Sequence, residues 1–185
     1  MAEIDDAIDR ADQEHFTRQP PKTLKGRVNF LVKQLKTTRA VAAELGVSQR
    51  SVERYRTGER RNPPQAIADR IEAAVRRRWQ PQVRKRRRKQ AATTRGITVE
   101  TRARFGYTAP VGTTDDGRFR RLTVHLPPPY AQRLFDAREA GSGDRELRAI
   151  IAEGFKDVYF QDGGTRASGL SDVTLNDIDY LDLDY

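Results

Sequence analysis

The sequence predicts a mainly α-helical protein with a small α+β part. Apolar residues recur every three or four positions over most of the first 80 residues, which indicates several amphipathic helices. The run Leu122–Leu126 alternates apolar and polar residues, which predicts a strand, and two more helical patterns follow it. We therefore expect an N-terminal helical bundle with a helix-turn-helix, a basic linker, and a C-terminal β-hairpin plus two helices.

Composition and charge restrict the function classes. The 185 residues include 35 Lys and Arg against 26 Asp and Glu, a formal charge of +9 that favours a polyanionic partner, nucleic acid before an anionic membrane. No apolar run approaches the roughly 20 residues of a membrane span, so we expect no membrane partner. The chain has no cysteine, which excludes thiolate zinc sites and fits a cytoplasmic location. His15 and His125 are scattered, so we expect no metal site.

Residues 1–80 are assigned to a helix-turn-helix DNA-binding domain. A first helix is predicted near the start of the chain from Ile4, Ile8 and Ala11. A second helix is predicted from Leu24, Val28, Leu31 and Leu35. The last helix of this domain is predicted after Asn62–Pro64 from the four-residue recurrence of Ile67, Ile71, Val75 and Trp79.

The segment Thr37–Tyr55 has the layout of the helix-turn-helix itself. Ala42 is small where the helices would cross, Gly46 suits a left-handed turn, and Ser48 is a good N-cap. The second helix would then point Gln and Arg side chains outward, and these can pair bidentately with base edges. The candidate DNA contacts are Thr38, Ser48, Gln49, Arg50, Ser51 and Arg54. An ordinary two-helix corner with a solvated face is the alternative.

Residues 81–95 are predicted to be a basic linker between two domains. Arg76–Lys89 holds nine basic residues in fourteen. Beside a helix-turn-helix, such a run is expected to follow phosphates and raise affinity without reading sequence. The candidate phosphate contacts are Arg84, Lys85, Arg86, Arg87, Arg88 and Lys89. A solvated arm is the alternative.

Residues 96–164 are predicted to form a hairpin and helix domain. Strands at Gly96–Val99 and Leu122–Leu126 flank a loop, residues 105–117, and two helices separated by Gly141–Gly143 follow. Strand, helix, turn, helix is also the order of a ribbon-helix-helix subunit, which makes a homodimer possible unless the hairpin completes the strand within one chain. Residues 165–185 are predicted to be an acidic tail.

The predicted loop presents hydroxyl groups beside carboxylates. Its polar residues include Tyr107, Thr108, Thr113, Thr114, Asp115 and Asp116. A solvated loop of this kind is a place for chemistry, or only a connector. From the residues by themselves both interpretations stay open.

The segment Arg102–Asp116, RARFGYTAPVGTTDD, resembles the core motif of the telomeric terminal proteins of streptomycete linear chromosomes and plasmids. The likeness runs from the first helix to about Gly164 and includes Leu45–Arg50, Arg78–Arg84 and Val158–Gly164. The resemblance implies a protein that caps the 5′ ends of linear DNA and primes end-patching synthesis while covalently linked to it.

In that family the DNA-linked residue is a threonine of this loop, which maps to Thr114. The neighbouring Thr113 is its rival, and Asp115 and Asp116 either orient the hydroxyl or only form a turn. The chain lacks the spread of acidic motifs that a polymerase needs, so we expect a substrate of replication rather than an enzyme.

The resemblance also implies partners. They are telomeric DNA as duplex and single-stranded 3′ overhang, a recruiting protein associated with the telomere, and a DNA polymerase. No cofactor of its own is expected, and Mg²⁺ would come with the polymerase. The expected location is the nucleoid at replicon ends.

Two alternative functions stay open. One is a dimeric helix-turn-helix transcriptional regulator with an inert loop. The other is an autonomous nuclease or nucleotidyl transferase, although that function requires clustered carboxylates.

Overall fold

The computed structural model describes residues 3–108, 118–167 and 169–185. Within these ranges the chain forms eight α-helices and a three-stranded antiparallel sheet, which confirms the predicted fold class. The chain divides into two compact units. We call Phe16–Pro81 the helical unit, and Met1–His15 together with Gln82–Tyr185 the mixed unit.

The elements of the chain, in order, are α1 (Glu3–Glu14), α2 (Leu24–Leu35), α3 (Thr38–Leu45), α4 (Gln49–Thr57), α5 (Gln65–Arg78), α6 (Pro81–Gln90), β1 (Ile97–Thr108), β2 (Arg118–Leu126), α7 (Pro128–Glu139), α8 (Asp144–Phe155) and β3 (Asp172–Asp184). A π-helical turn, Ala91–Arg95, follows α6, and a second, Lys156–Phe160, follows α8. None of the helices in the described ranges combines the length and the apolar character that a membrane crossing requires.

The helical unit contains α2 to α5 around one small core. Its buried side chains are Val28, Leu31, Val41, Ala42, Leu45, Val52, Tyr55, Ile71, Ala74 and Val75. Trp79 lies at the edge of this core, where its ring meets Phe30 edge-on at 5.0 Å and its indole N–H donates to the carbonyl of Arg18 at 2.8 Å.

The sheet of the mixed unit has the strand order β2–β1–β3. β1 and β2 pair from Ile97 opposite Leu126 to Phe105 opposite Arg118. The predicted hairpin therefore forms inside one chain, and the strand does not need a second copy to complete a ribbon-helix-helix. β1 continues through Phe105 to Thr108, so the first four residues of the predicted loop belong to a strand instead. The reason is packing, since Phe105 is fully buried with its ring centroid 5.4 Å from that of Phe155.

The residues predicted to form an acidic tail lie mostly in β3, the third strand of the sheet. β3 pairs with β1 from Asp172 opposite Thr108 to Asp184 opposite Thr98, with a shift of register near Arg102 and Arg104. Its buried side chains are Val173, Leu175, Leu181 and Leu183. The aspartates occupy the exposed positions between them, because successive side chains of a strand point to opposite faces.

The predicted domain boundaries also differ from the structure at α1 and α6. α1 belongs to the mixed unit rather than to the helix-turn-helix domain, and it buries Ile4, Ala7, Ile8 and Ala11 in that core. Residues 81–95, predicted as a linker, form α6 and a π-helical turn. Gln82–Arg95 is therefore a folded part of the mixed unit.

Candidate nucleic-acid interface

The turn between α3 and α4 has the backbone that the sequence predicts. Gly46 adopts φ 63° and ψ 40°, and its N–H reaches the last carbonyls of α3. Thr37 caps α3 by accepting from the N–H of Ala40, and Ser48 caps α4 by accepting from the N–H of Ser51 at 3.2 Å. These caps and the left-handed glycine fix the direction in which α4 leaves the turn.

α4 buries one side and exposes the other. Val52 and Tyr55 enter the core, while Gln49, Arg50 and Arg54 are exposed. This is the arrangement expected of a recognition helix, which presents polar side chains on a rigid, capped scaffold.

The exposed side chains of α4 differ in how they are held. Gln49 donates from Nε2 to the hydroxyl of Thr38 at 3.0 Å and to Glu53 at 3.1 Å. Arg54 pairs with Glu59 at 2.8 Å. Arg50 forms no ion pair with any residue that the structure describes. Among these three side chains, Arg50 is the one without a carboxylate partner in the described part of the chain.

The predicted contact residues Ser48 and Ser51 serve α4 itself. Their hydroxyl oxygens lie 2.9 Å apart, and Ser48 is already the N-cap. Thr38 is half-buried and accepts from Gln49. All three hold α4 in place, a role that the sequence pattern indicates only for Ser48.

The helical unit carries a large excess of positive charge. It has 16 Lys and Arg against 5 Asp and Glu, a formal charge of +11. Glu44 holds Arg77 at 2.8 Å and Arg78 at 3.0 Å, and these partners lower the pKa of its carboxyl group, Arg78 most strongly. Only five of the sixteen cations form an ion pair with a described residue, so most of the positive charge of this unit is not neutralised by carboxylates of the described residues.

α6 divides the six predicted phosphate contacts between two environments. Lys85, Arg86 and Lys89 are exposed. Arg88 lies 2.5 Å from Asp12 of α1, and Arg84 lies 3.6 Å from the same carboxylate. Arg84 and Arg88 therefore join α6 to α1, which is a correction to their assignment as free phosphate contacts. Arg87 is half-buried on the same helix.

Asp12 is the centre of a buried polar cluster. Its side chain is 2% exposed, and it also accepts from the hydroxyl of Tyr185 at 2.7 Å. Burial and the negative charge of Asp12 both raise the pKa of Tyr185. Burial lowers the pKa of Arg88, but the hydrogen bond and charge of Asp12 outweigh that effect and leave the pKa raised. The pKa shifts of Arg88 and Tyr185 thus favour their protonated forms, whereas burial lowers the pKa of Arg84 in the same cluster.

Most of the predicted priming residues are not among the described ones. Thr113, Thr114, Asp115 and Asp116 lie outside the described residues. Tyr107 is described, and its ring meets Phe160 edge-on at 5.0 Å while its hydroxyl oxygen is buried. The ring of Tyr107 therefore contributes to packing in the hairpin, and its assignment to the priming loop stays a prediction.

Two features of this geometry were not predicted from the sequence. The ion pairs of Asp12 were signalled by an acidic residue beside the apolar stripe of α1 and by two arginines four positions apart in α6. The support of Tyr107 by Phe160 had no local signal, because the two residues are 53 positions apart. Among the described side chains, no group of three or more Asp, Glu and His is placed to hold a metal ion.

No protein-family model matches this chain, and no curated protein or solved structure matches it.

Proposed function

We propose that this chain binds duplex DNA through α4 and serves as a terminal protein at the ends of linear replicons. The observation that carries the DNA-binding half is the exposed face of α4, where Arg50 and Arg54 project from a capped helix-turn-helix in a unit of charge +11. A guanidinium can pair bidentately with guanine in the major groove. Salt-dependent binding of a labelled duplex tests this half, and an affinity that does not fall as salt rises would contradict it.

The terminal-protein half rests on the resemblance of Arg102–Asp116. The topology of the hairpin supports it, because β1 and β2 stay paired as far as Phe105 and Arg118. The described residues on either side of the sequence that contains Thr114 are therefore neighbours in the sheet. Flanking strands paired in this way suit a residue that has to be presented to another protein.

The proposed chemistry is the transfer of one nucleotide to Thr114. The hydroxyl oxygen attacks the α-phosphorus of a deoxynucleoside triphosphate, the bond to the β-phosphate oxygen breaks, and pyrophosphate leaves. The hydroxyl proton passes to a base of the polymerase, whose Mg²⁺ ions supply charge stabilisation. The role of this chain is to present the hydroxyl, with Asp115 and Asp116 as its nearest carboxylates in the sequence.

The proposal assigns three kinds of partner. They are telomeric DNA as duplex and single-stranded 3′ overhang, a telomere-associated recruiting protein and a DNA polymerase. The protein would act in the nucleoid at replicon ends.

The decisive experiment asks whether protein purified from cells carries DNA that survives denaturant and is released by nuclease. Mass spectrometry of the nuclease-treated protein is expected to find one nucleotide on Thr114. Thr114→Ala abolishes this mass and leaves duplex binding unchanged, whereas Thr113→Ala changes neither. Thr114→Ser keeps the hydroxyl and is expected to retain linkage. A nucleotide on Thr113, or none on this segment, contradicts the assignment.

The second candidate function is that of a dimeric transcriptional regulator. The helix-turn-helix favours it when the hairpin is left out of account. It predicts sequence-specific duplex binding by a dimer and no covalently bound DNA. The same purification separates the two candidates, because a regulator releases all its DNA in denaturant.

A further inference from the structure

The open face of the sheet carries an exposed phenylalanine between arginines. The opposite face packs on α1, α7 and α8 through the buried core, so this face meets solvent. Phe119 of β2 is 49% exposed and lies opposite Arg104 of β1. The guanidinium carbons of Arg104 and Arg102 lie 5.2 and 5.7 Å from its ring centroid. The ring is thus placed in the open and flanked by two cations.

The charges of this face are divided between its two halves. The basic half, formed by β1 and β2, presents Arg102 and Arg104 beside Phe119 and also Arg121, which pairs with Glu100 of β1 at 2.6 Å. The acidic half is β3, whose Asp179 pairs with Arg102 at 2.6 Å and whose Asp177 lies 3.4 Å from Arg104.

Each of these ion pairs is exposed to solvent. The side chains of Arg102 and Asp179 are 55% and 51% exposed, and those of Arg104 and Asp177 are 48% and 62% exposed. Exposed pairs of this kind contribute little to stability, so a phosphate can take the place of either aspartate. The aspartates therefore hold the arginines beside Phe119 in position, and these arginines can still change partner from an aspartate to a phosphate.

We propose that the basic half of this open face binds single-stranded nucleic acid, with one base stacked on Phe119 and the adjoining phosphates on Arg102 and Arg104. An aromatic ring offers any base a stacking partner, and arginines beside it hold the backbone. A duplex keeps the faces of its bases stacked inside the helix, so the ring selects for a single strand.

The charge and apolar content of the face favour this occupant over a protein. Among the described residues, only Phe119 and Tyr159 are exposed large apolar side chains. The ring of Tyr159 meets Phe160 edge-on, and Phe160 packs against Phe105 on the covered side. One isolated ring is too little apolar surface for the buried centre of a protein interface. The inference deepens the proposed function, whose partners include a single-stranded 3′ overhang, but it uses neither α4 nor the hydroxyl of Thr114.

The acidic half has a defined role in this arrangement. Asp177 and Asp179 pair with the guanidinium groups of Arg104 and Arg102 in the absence of nucleic acid, and they compete with its phosphates when it binds. Removing their charges is therefore expected to tighten binding several-fold, whereas removing the arginines weakens it.

The test separates base stacking from charge. Fluorescence anisotropy with the full chain compares a labelled oligothymidylate of about 15 nucleotides with an abasic oligomer of the same length. Phe119→Ala is expected to lose about 5- to 150-fold in affinity for the oligothymidylate, the usual effect of removing one stacking ring. It should bind the abasic oligomer as the wild type does. Tyr159→Ala, a control of similar size and exposure, should leave both affinities unchanged.

A second variant and a direct measurement guard against a folding artefact. Phe119→Leu keeps the apolar side chain and removes the ring, so it should lose most of the same affinity. A strand that carries 5-iododeoxyuridine should cross-link to Phe119 on irradiation. An oligouridylate of equal length shows whether DNA or RNA is preferred.

Three results would overturn the inference. They are an equal loss on thymidylate and abasic strands, no loss on either, and a cross-link found only outside the open face. Arg50→Ala weakens duplex binding under the proposed function but should leave the difference between thymidylate and abasic strands intact. The two proposals can therefore fail separately.

Discussion

The helical unit and the mixed unit use arginine in different ways. The helical unit has 16 cations against 5 anions, and five of its cations are in ion pairs with described residues. The mixed unit has 19 cations against 21 anions, a formal charge of −2, and eleven of its cations are in such pairs. The net charge of +9 therefore describes neither unit.

Arg50 and Arg88 illustrate the difference. Arg50 is exposed on α4 and forms no ion pair in the described part of the chain. Arg88 is 17% exposed and is held by Asp12 at 2.5 Å. A free surface guanidinium is a ligand for phosphates or bases, whereas a buried, paired one joins secondary-structure elements. The role of an arginine therefore depends on whether the fold places a carboxylate beside it.

The largest expected effect comes from Asp12→Ala. The substitution leaves two partly buried guanidinium groups without their carboxylate, so we expect it to destabilise the mixed unit by about 3–5 kcal/mol. Urea unfolding followed by circular dichroism measures the loss. Fluorescence of Trp79, the single tryptophan, reports the helical unit and should change little.

The matched control is Asp182→Ala. Asp182 pairs with Arg10 at 3.1 Å, but the two side chains are 64% and 52% exposed. The expected loss is at most about 1 kcal/mol. If both variants lost the same stability, the buried cluster would not be what holds α1 to the mixed unit.

The second prediction concerns the two sides of α6. Replacing exposed Lys85, Arg86 and Lys89 with glutamine should weaken binding to all DNA sequences alike. The slope of log affinity against log salt should fall by up to about 0.9 for each duplex phosphate that the variant no longer neutralises. Replacing Arg84 and Arg88 should instead lower stability, because they bind Asp12. An unchanged slope in the triple variant would show that the exposed side of α6 is solvated.

Local chemistry made the helix-turn-helix predictable from the sequence. Ala42, Gly46 and Ser48 each satisfy a requirement set by neighbours a few positions away, and the structure has all three in the expected places. The fold class followed from periodicity in the same way. Long-range packing could not be predicted in this way. The apolar stripe of α1 shows that the helix packs against a core, but it does not show which of the two units provides that core.

The strand β3 was missed because its charge dominated its pattern. Leu181 and Leu183 alternate with aspartates as a half-buried strand requires, but the acidic composition suggested a tail. The register shift between Arg102 and Arg104 interrupts the alternation further. The open face of the sheet could not be predicted either, because Phe119 and Arg104 become neighbours only through the register of β1 and β2.

The third prediction compares two arginines of one helix. Arg50→Ala should cost about 1–3 kcal/mol of duplex affinity if its guanidinium pairs with a base. Arg54→Ala should cost less, because wild-type Arg54 has to release Glu59 before it binds. Anisotropy with specific and scrambled duplexes measures both losses. Wild-type affinity and sequence preference in the double variant would rule out α4 as the recognition helix.

The last prediction uses pH to test the cluster around Asp12 in the mixed unit. Burial and Asp12 raise the pKa of Tyr185 in the folded state above the value of about 10 in the unfolded chain. Below pH 10 both states keep the proton, so the contribution to stability is constant. Above pH 10 the unfolded state loses the proton while the folded state retains it, so the free energy of unfolding falls by about 1.4 kcal/mol per pH unit.

Tyr185→Phe has no phenolic proton, so most of this pH dependence should disappear. The lost hydrogen bond to Asp12 should lower stability by an amount that does not vary with pH. Tyr130→Phe is the comparison, because burial and Asp157 raise the pKa of Tyr130 as well, so this variant should remove a separate part of the slope. Urea unfolding from pH 9 to 11 measures the slopes. A slope in Tyr185→Phe equal to that of the wild type would mean that the cluster around Asp12 is open to water, and that the mixed unit is held together by its apolar core instead.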